Sequence, residues 1–207
     1  MLILRILCVA GVLTLSSCCR PLQSDSLPVA LRPQETGMWC WAASGEMTAE
    51  YIGGGNIQQC TEANRRFGRT DCCNSPTPGA CVVGGWPDQL YTAANLTWDR
   101  TSNTALSLTT LKRQISQRQY CSKKPFAFSW HWNGGGGHMM VARGYESLSI
   151  PPIEINGLRL PALRFDLVEV NNPWPPNVGN HEWMTYGNYV SGSNHTHWDD
   201  FYNIRSR

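Results

Sequence analysis

Charge is scarce in this chain: Asp, Glu, Lys and Arg make up 15% of its 207 residues, and the formal net charge is only +2. That excludes the electrostatic footprint of a nucleic-acid binder or of a protein held to anionic surfaces by bulk charge. Long apolar runs are missing too, since Leu2–Leu15, with Arg5 inside it, is too short to cross a bilayer as a retained helix. Paired Cys-x-x-Cys spacing is absent, which weakens any zinc-cluster reading, and there is no internal repeat or long low-complexity tract. Glycine, proline and tryptophan are plentiful instead, at 19, 13 and 9 residues. This balance is far from that of a disordered chain and suits a loop-rich α+β domain better than a helical bundle. The length accommodates one such domain with a real core.

The N-terminal apolar stretch runs into Leu15-Ser16-Ser17-Cys18. Leu, two small residues and Cys resemble the bacterial lipoprotein signal, in which the cysteine is lipidated and becomes the first mature residue. The simpler alternative is an ordinary secretory signal cut near Ser17. Either way the chain is exported. The expected organisation is a signal over 1–17, a Ser-, Pro- and Leu-rich tether over 18–33 and one domain over 34–207. The implied location is the cell envelope, on the outer membrane or cell surface, with a lipid anchor at Cys18. Export permits disulfides. Cys60, Cys72, Cys73, Cys81 and Cys121 are the candidates, with two local staples expected between Cys60 and Cys81 and the connectivity open.

Trp39 to about Ile52 reads as a helix of good formers ended by Gly53-Gly54-Gly55. A disulfide-rich loop follows to Gly85, then short helices over Pro87–Ala94 and Leu108–Gln119. The second half changes period. Pro125–Trp132 and His138–Tyr145 alternate like neighbouring strands, and Ile153–Leu160 centres on Asn-Gly and reads as a projecting hairpin. Arg164–Asn171 is apolar on both faces, as in a central strand. His181–Tyr186 and His197–Ile204 complete an antiparallel sheet. Helices first and strands second indicate an α+β fold.

One combination carries chemistry. Cys40 opens the expected helix, Gln34 lies six residues before it, His138 follows the four-glycine run Gly134–Gly137, and Asn172 ends an apolar strand. A thiol at its ordinary pKa is mostly protonated at neutral pH, so a nucleophilic cysteine needs help. A helix N-terminus and a nearby imidazolium both favour thiolate. In that scheme His138 is the general base and acid, Asn172 fixes its tautomer, and Gln34 joins the Cys40 N–H at the developing oxyanion. Each residue also has a plain structural account: a core cysteine between two packing tryptophans, a structural histidine, loop amides serving turns.

Gln-x5-Cys-Trp, Gly-Gly-His followed by Met-Met-Val, and Asn-x-Trp together resemble the papain-like cysteine proteases. The Trp-Cys-Trp-Ala-Ala form is closer to two bacterial branches, the double-glycine leader peptidases and the plant-pathogen effector proteases. The likeness covers the chain from about Pro33 onward. It implies a helical lobe bearing the nucleophile packed on an antiparallel sheet lobe bearing His and Asn, a peptide or protein substrate in the cleft between them, and no cofactor or metal. Carried over by position, Gln34 is the oxyanion glutamine, Cys40 the nucleophile, His138 the base, Asn172 the orienting residue and Trp174 the tryptophan sheltering the His–Asn contact. Asn171 stands beside Asn172 and is the alternative partner, since strand alternation sends the two side chains to opposite faces. No transporter segment is present, so a double-glycine substrate is not implied.

Other features compete more weakly. His195-x-His197 with Asp199 and Asp200 reads as a solvated strand face, with metal binding as the alternative. His131 is a secondary candidate for the base, and Asn95-Leu-Thr and Asn194-His-Thr match a glycosylation sequon that a bacterial setting discounts. The expectation is a monomeric thiol peptidase or close acyl-transfer relative. The alternative is a catalytically silent surface lipoprotein of the same fold that binds a protein or peptide partner.

Overall fold

A computed structural model describes residues 19–155 and 158–207. Its first strand, β1 (Ser24–Ser26), pairs with Glu146–Gly144 of a later strand. Leu27 and Val29 are buried in the core, and Cys19 is bonded to Cys121. Residues 19–33 therefore belong to the domain and are not a tether. Their Ser and Pro content suggests a linker, but the alternation of Leu27 and Val29 gives them an apolar face to bury. Cys19 also completes the cysteine pairing, with Cys60–Cys73 and Cys72–Cys81 as the two local staples. The expected lipidation site, Cys18, and the signal segment lie outside the described residues.

Helix α1 (Cys40–Ile52) runs as its sequence predicts and ends on Gly53 at φ 90°, a left-handed cap that glycine adopts without steric penalty. Helix α2 (Gln59–Phe67) lies where a loop is expected. Its apolar content is too low to signal a helix, and it is held instead by the Cys60–Cys73 bond and by Gln59, whose amide donates to the Pro33 carbonyl and to Glu46. Helix α3 (Asp88–Ala93) and strand β2 (Leu96–Arg100) follow. Helix α4 (Leu108–Ile115) stops short of Gln119 because Ser116 Oγ and the Gln117 N–H turn aside to the Asp25 carboxylate at 3.1 and 2.7 Å.

The second half is sheet: β3 (Phe126–Trp132), β4 (Gly137–Ile150), β5 (Ile153–Ile155), β6 (Leu158–Leu160), β7 (Leu163–Asn172), β8 (Asn180–Thr185), then the short α5 (Tyr186–Val190) and β9 (His195–Ser206). Seven strands form an antiparallel sheet in the order β2-β9-β3-β4-β7-β8 with β1 against β4, and β5–β6 make a separate two-stranded ladder. The Asn156-Gly157 turn lies outside the described residues. Strand β7 is not buried throughout: Val168, Val170 and Asn171 are buried, whereas Leu163 and Phe165 are exposed.

Two apolar clusters use the alternation of β3. Phe126, Phe128 and Trp130 join Leu111, Ile115 and Tyr189, while Ala127 joins Trp39, Trp41, Leu90, Met139 and Phe201. Helix α3 thus contributes to one core, α4 and α5 to the other, and α1 to both through Trp41 and Met47, which makes the fold α+β. No described helix is long and apolar enough to cross a membrane.

Candidate active site

The residues flanking Cys40 fix where its thiol points. Trp39 and Trp41 are buried, and their indole N–H groups donate to the carbonyls of Cys81 and Val83 at 2.7 and 3.2 Å. Buried indoles need such partners, and here Cys81, bonded to Cys72, and Val83 just beyond it supply them. A side chain at Gly85 would meet the Trp41 ring 2.8 Å away and Arg66 at 2.6 Å, so only glycine lets this loop come so close. With both tryptophans engaged, Cys40 stands half-buried at the first position of α1 and lines a cleft of about 860 Å³.

His138 lines the same cleft from the start of β4. At Gly137 a side chain would collide with the Trp130 carbonyl and meet the Trp198 ring at 3.0 Å. The last glycine of the run is therefore needed for close packing, which sets the histidine that follows it. Strand β7 pairs with β4 from Val141 onward. Ahead of that point, the Met139 N–H approaches the Cys40 sulfur.

Asn172, the last residue of β7, accepts at Oδ1 from His138 Nε2 at 2.7 Å. The amide orientation follows from its other two contacts. The Trp174 backbone N–H, which can only donate, meets Oδ1 at 3.0 Å, and the Glu182 carboxylate accepts from Nδ2 at 2.5 Å. Because Oδ1 only accepts, the neutral His138 ring carries its proton on Nε2 and keeps Nδ1 as its basic atom. Asn171 points elsewhere: it is buried, donates to the Val29 carbonyl at 3.1 Å and accepts from His181 Nδ1 at 2.7 Å.

Burial pushes the Cys40 thiol above its ordinary pKa, against the opposing pull of the backbone N–H groups of Met139, Trp41 and Cys40 itself. Burial also lowers His138, opposed by its bond to Asn172 and by the charge of Glu182. Both directions favour the neutral thiol and the neutral imidazole at rest, in contrast to the ready-made ion pair expected from the sequence.

Gln34 is buried in the loop before α1, and its backbone ties that loop to the turn after β7. Its N–H donates to the Pro173 carbonyl at 3.0 Å and its carbonyl accepts from Asn177 at 2.9 Å. Its side chain, expected to face an oxyanion, donates to the Thr36 carbonyl at 2.6 Å, and its Oε1 is buried without a partner. Trp174 is half-exposed on the cleft, and it is its backbone N–H that reaches the His–Asn pair.

The weaker candidates fall away from this centre. Across the β3–β4 ladder Trp130, not His131, stands opposite His138, and His131 is exposed beside Trp198. His195 and His197 are buried, contrary to the expected solvated face. His195 stacks on Trp130, and His197 Nδ1 donates to the Tyr189 carbonyl at 3.0 Å while Nε2 lies 3.0 Å from Asp200. Asp199 pairs with Arg100 at 2.6 Å. Apart from His197 Nε2, which is close to Asp200 but makes no hydrogen bond of good geometry, these groups are occupied by internal bonds. Glu182 is the residue that sequence reasoning missed; only the pairing of β7 with β8, which sets Asn172 against Asn180, brings it into reach.

A family model for the papain-like cysteine protease AvrRpt2 matches residues 22–177. The chain belongs to that family of papain-like cysteine proteases. The matched span contains Gln34, Cys40, His138, Asn172 and Trp174, and ends before Glu182. No curated protein matches the chain.

Proposed function

We propose that the protein is an exported, lipid-anchored peptidase that hydrolyses peptide bonds through a thioester at Cys40, with a helical lobe carrying the thiol packed on a sheet lobe carrying His138 and Asn172. The observation that carries this reading is the chain His138–Asn172–Glu182, bonded in series on the cleft that Cys40 also lines. Substrate binding displaces water, and His138 Nδ1 takes the thiol proton as sulfur attacks the scissile carbonyl. Nε2 keeps its proton throughout, so the imidazolium is stabilised by Asn172 and, behind it, by the Glu182 charge. The tetrahedral oxyanion takes the Cys40 backbone N–H at the helix start. The remaining amide N–H of Gln34 is the second donor once its side chain leaves Thr36. Collapse expels the amine, which receives the proton from His138, and water then hydrolyses the thioester by the same route. No cofactor enters this scheme.

Under this reading Cys18 is lipidated after removal of residues 1–17, and the monomeric domain works at the cell envelope, on the outer membrane or cell surface. Incubating the protein spanning residues 19–207 with a diverse peptide library tests the chemistry, read by mass spectrometry. Wild-type protein gives products that Cys40→Ala and His138→Ala do not. Identical patterns from wild type and Cys40→Ala overturn the reading. The turning of Gln34 onto Thr36 and the raised thiol pKa favour a second reading, a silent member of the family that binds a peptide partner. It requires peptide affinity that survives Cys40→Ala, with no product.

A further inference from the structure

The outer halves of β4 and β7, continued by β5 and β6, form a two-stranded extension that turns the usual relation between polarity and solvent around. Leu148 stands opposite Phe165 and Ile150 opposite Leu163; farther out, Ile153 faces Leu160 and Ile155 faces Leu158. All eight are exposed, from 39% at Ile150 to 65% at Leu158. Directly opposed residues of a ladder share a face. The alternate pair on the inner part is polar: Ser147 is opposite Asp166, and Lys112 of α4 covers both, bonding to Ser147 and lying 3.3 Å from Asp166. On the outer ladder the alternate pair is Glu154 with Arg159. The inner part thus packs a polar pair against α4 and leaves its apolar side chains outside, and the outer ladder exposes its own four apolar side chains. Contiguous apolar exposure on this scale marks an interaction site.

What covers it is indicated by the chain's N-terminal end. Strand β1 runs antiparallel to β4, so the residues before Ser24 run outward along β4 toward Ile150; the Ser147 N–H donates to the Gln23 carbonyl at 2.8 Å. Leu22 on this path is itself exposed, and Cys19 is fixed by its bond to Cys121. Cys19 to Leu22 spans at most about 14 Å. Cys18 and, before it in sequence, the apolar Leu2–Leu15 connect to the fold through Cys19.

We propose that the apolar extension is a membrane-docking surface, inserting its Ile, Leu and Phe side chains into the outer part of a lipid bilayer next to the point where the N-terminal segment joins the fold. With a formal charge of only +2, insertion is driven by apolar burial and not by attraction to anionic lipid. The inference goes beyond the peptidase reading and does not depend on lipidation of Cys18.

Flotation of the protein spanning residues 19–207 with neutral phosphatidylcholine vesicles, in about 0.1 M and about 0.5 M NaCl, between which charge contacts are increasingly screened, is the test. Binding is expected at both salt concentrations. Ile155→Ser with Leu158→Ser should weaken it about tenfold or more, while Val83→Ser with Val178→Ser, exposed apolar positions elsewhere, should not. Should the first pair disturb the fold, an environment-sensitive dye on Leu158→Cys in a Cys40→Ala background gives a second reading, through the blue shift of its emission on vesicles. No flotation, flotation abolished by salt, equal binding by both pairs of variants, or an unshifted dye overturns the proposal. So does a concentration-dependent dimer that Ile155→Ser with Leu158→Ser dissolves. Cleavage of soluble peptides is unaffected by that pair, so failure of the docking surface and failure of the peptidase reading are separable.

Discussion

Asn172 gives its amide N–H to Glu182 at 2.5 Å, and this contact, with the Trp174 N–H on Oδ1, determines which end of the amide faces His138. Without the carboxylate only the Trp174 N–H holds the amide, which can then more easily rotate and present N–H groups to an imidazole nitrogen that must itself donate. Glu182→Ala should lower kcat/KM by about 100-fold, the scale of a misplaced catalytic group. Glu182→Gln, which still offers an oxygen to Asn172, should lose less. Steady-state kinetics on any cleaved peptide check this, and a Glu182→Ala enzyme with wild-type kcat/KM removes Glu182 from the mechanism.

The pH dependence follows from His138. Its base form is the neutral imidazole, and burial lowers its pKa while Glu182 opposes that shift. The acid limb of kcat/KM should therefore lie below the ordinary imidazole value of about 6.5. Removing the carboxylate charge in Glu182→Gln takes away a raising influence, so the limb should move to still lower pH. A shift to higher pH contradicts the sign.

Thiol labelling separates a resting ion pair from a neutral pair. With its pKa raised by burial, Cys40 should react slowly with iodoacetamide at neutral pH, and its rate should climb beyond the ordinary thiol value of about 8.5. A fast plateau already present near pH 6 means that the thiolate–imidazolium pair exists before substrate arrives.

Gly137→Ala tests the placement of His138. The added methyl collides with the Trp130 carbonyl and crowds Trp198. Forced overpacking of this kind costs about 1–3 kcal/mol. Thermal denaturation should show that loss, and activity should fall further than stability alone explains, because the next residue is the base.

Cys72→Ser with Cys81→Ser should lower stability by about 2–4 kcal/mol. It also frees the loop whose carbonyls at Cys81 and Val83 hold Trp39 and Trp41. Peptide turnover should then become sensitive to temperatures at which far-UV circular dichroism still reports a folded sheet.

Much of this was legible in the chain. The good helix formers and Gly53 marked α1, period-two alternation marked β3 and β4, and the spacing of Cys40, His138 and Asn172 identified residues that the fold brings to one cleft. Strand alternation said that Asn171 and Asn172 face opposite ways, and the contacts pick Asn172 as the histidine's partner. What escaped was set by tertiary contacts. Helix α2 owes its place to a disulfide and to Gln59, not to an apolar stripe. Residues 19–33 look like a linker until Leu27 and Val29 are seen beneath the sheet. Glu182 carries no motif, and only strand register brings it to Asn172. The burial of Cys40 was hidden for a similar reason: a helix start favours thiolate in principle, burial opposes it, and no spacing rule reports burial.

The backbone bonds from Gln34 to Pro173 and from Asn177 to Gln34 cross directly from the approach to α1 to the exit from β7. They act as a hasp between the two loops, so the segment that leads into Cys40 and the turn that follows Asn172 keep a fixed spacing, and thiol and amide are carried on one clasped frame.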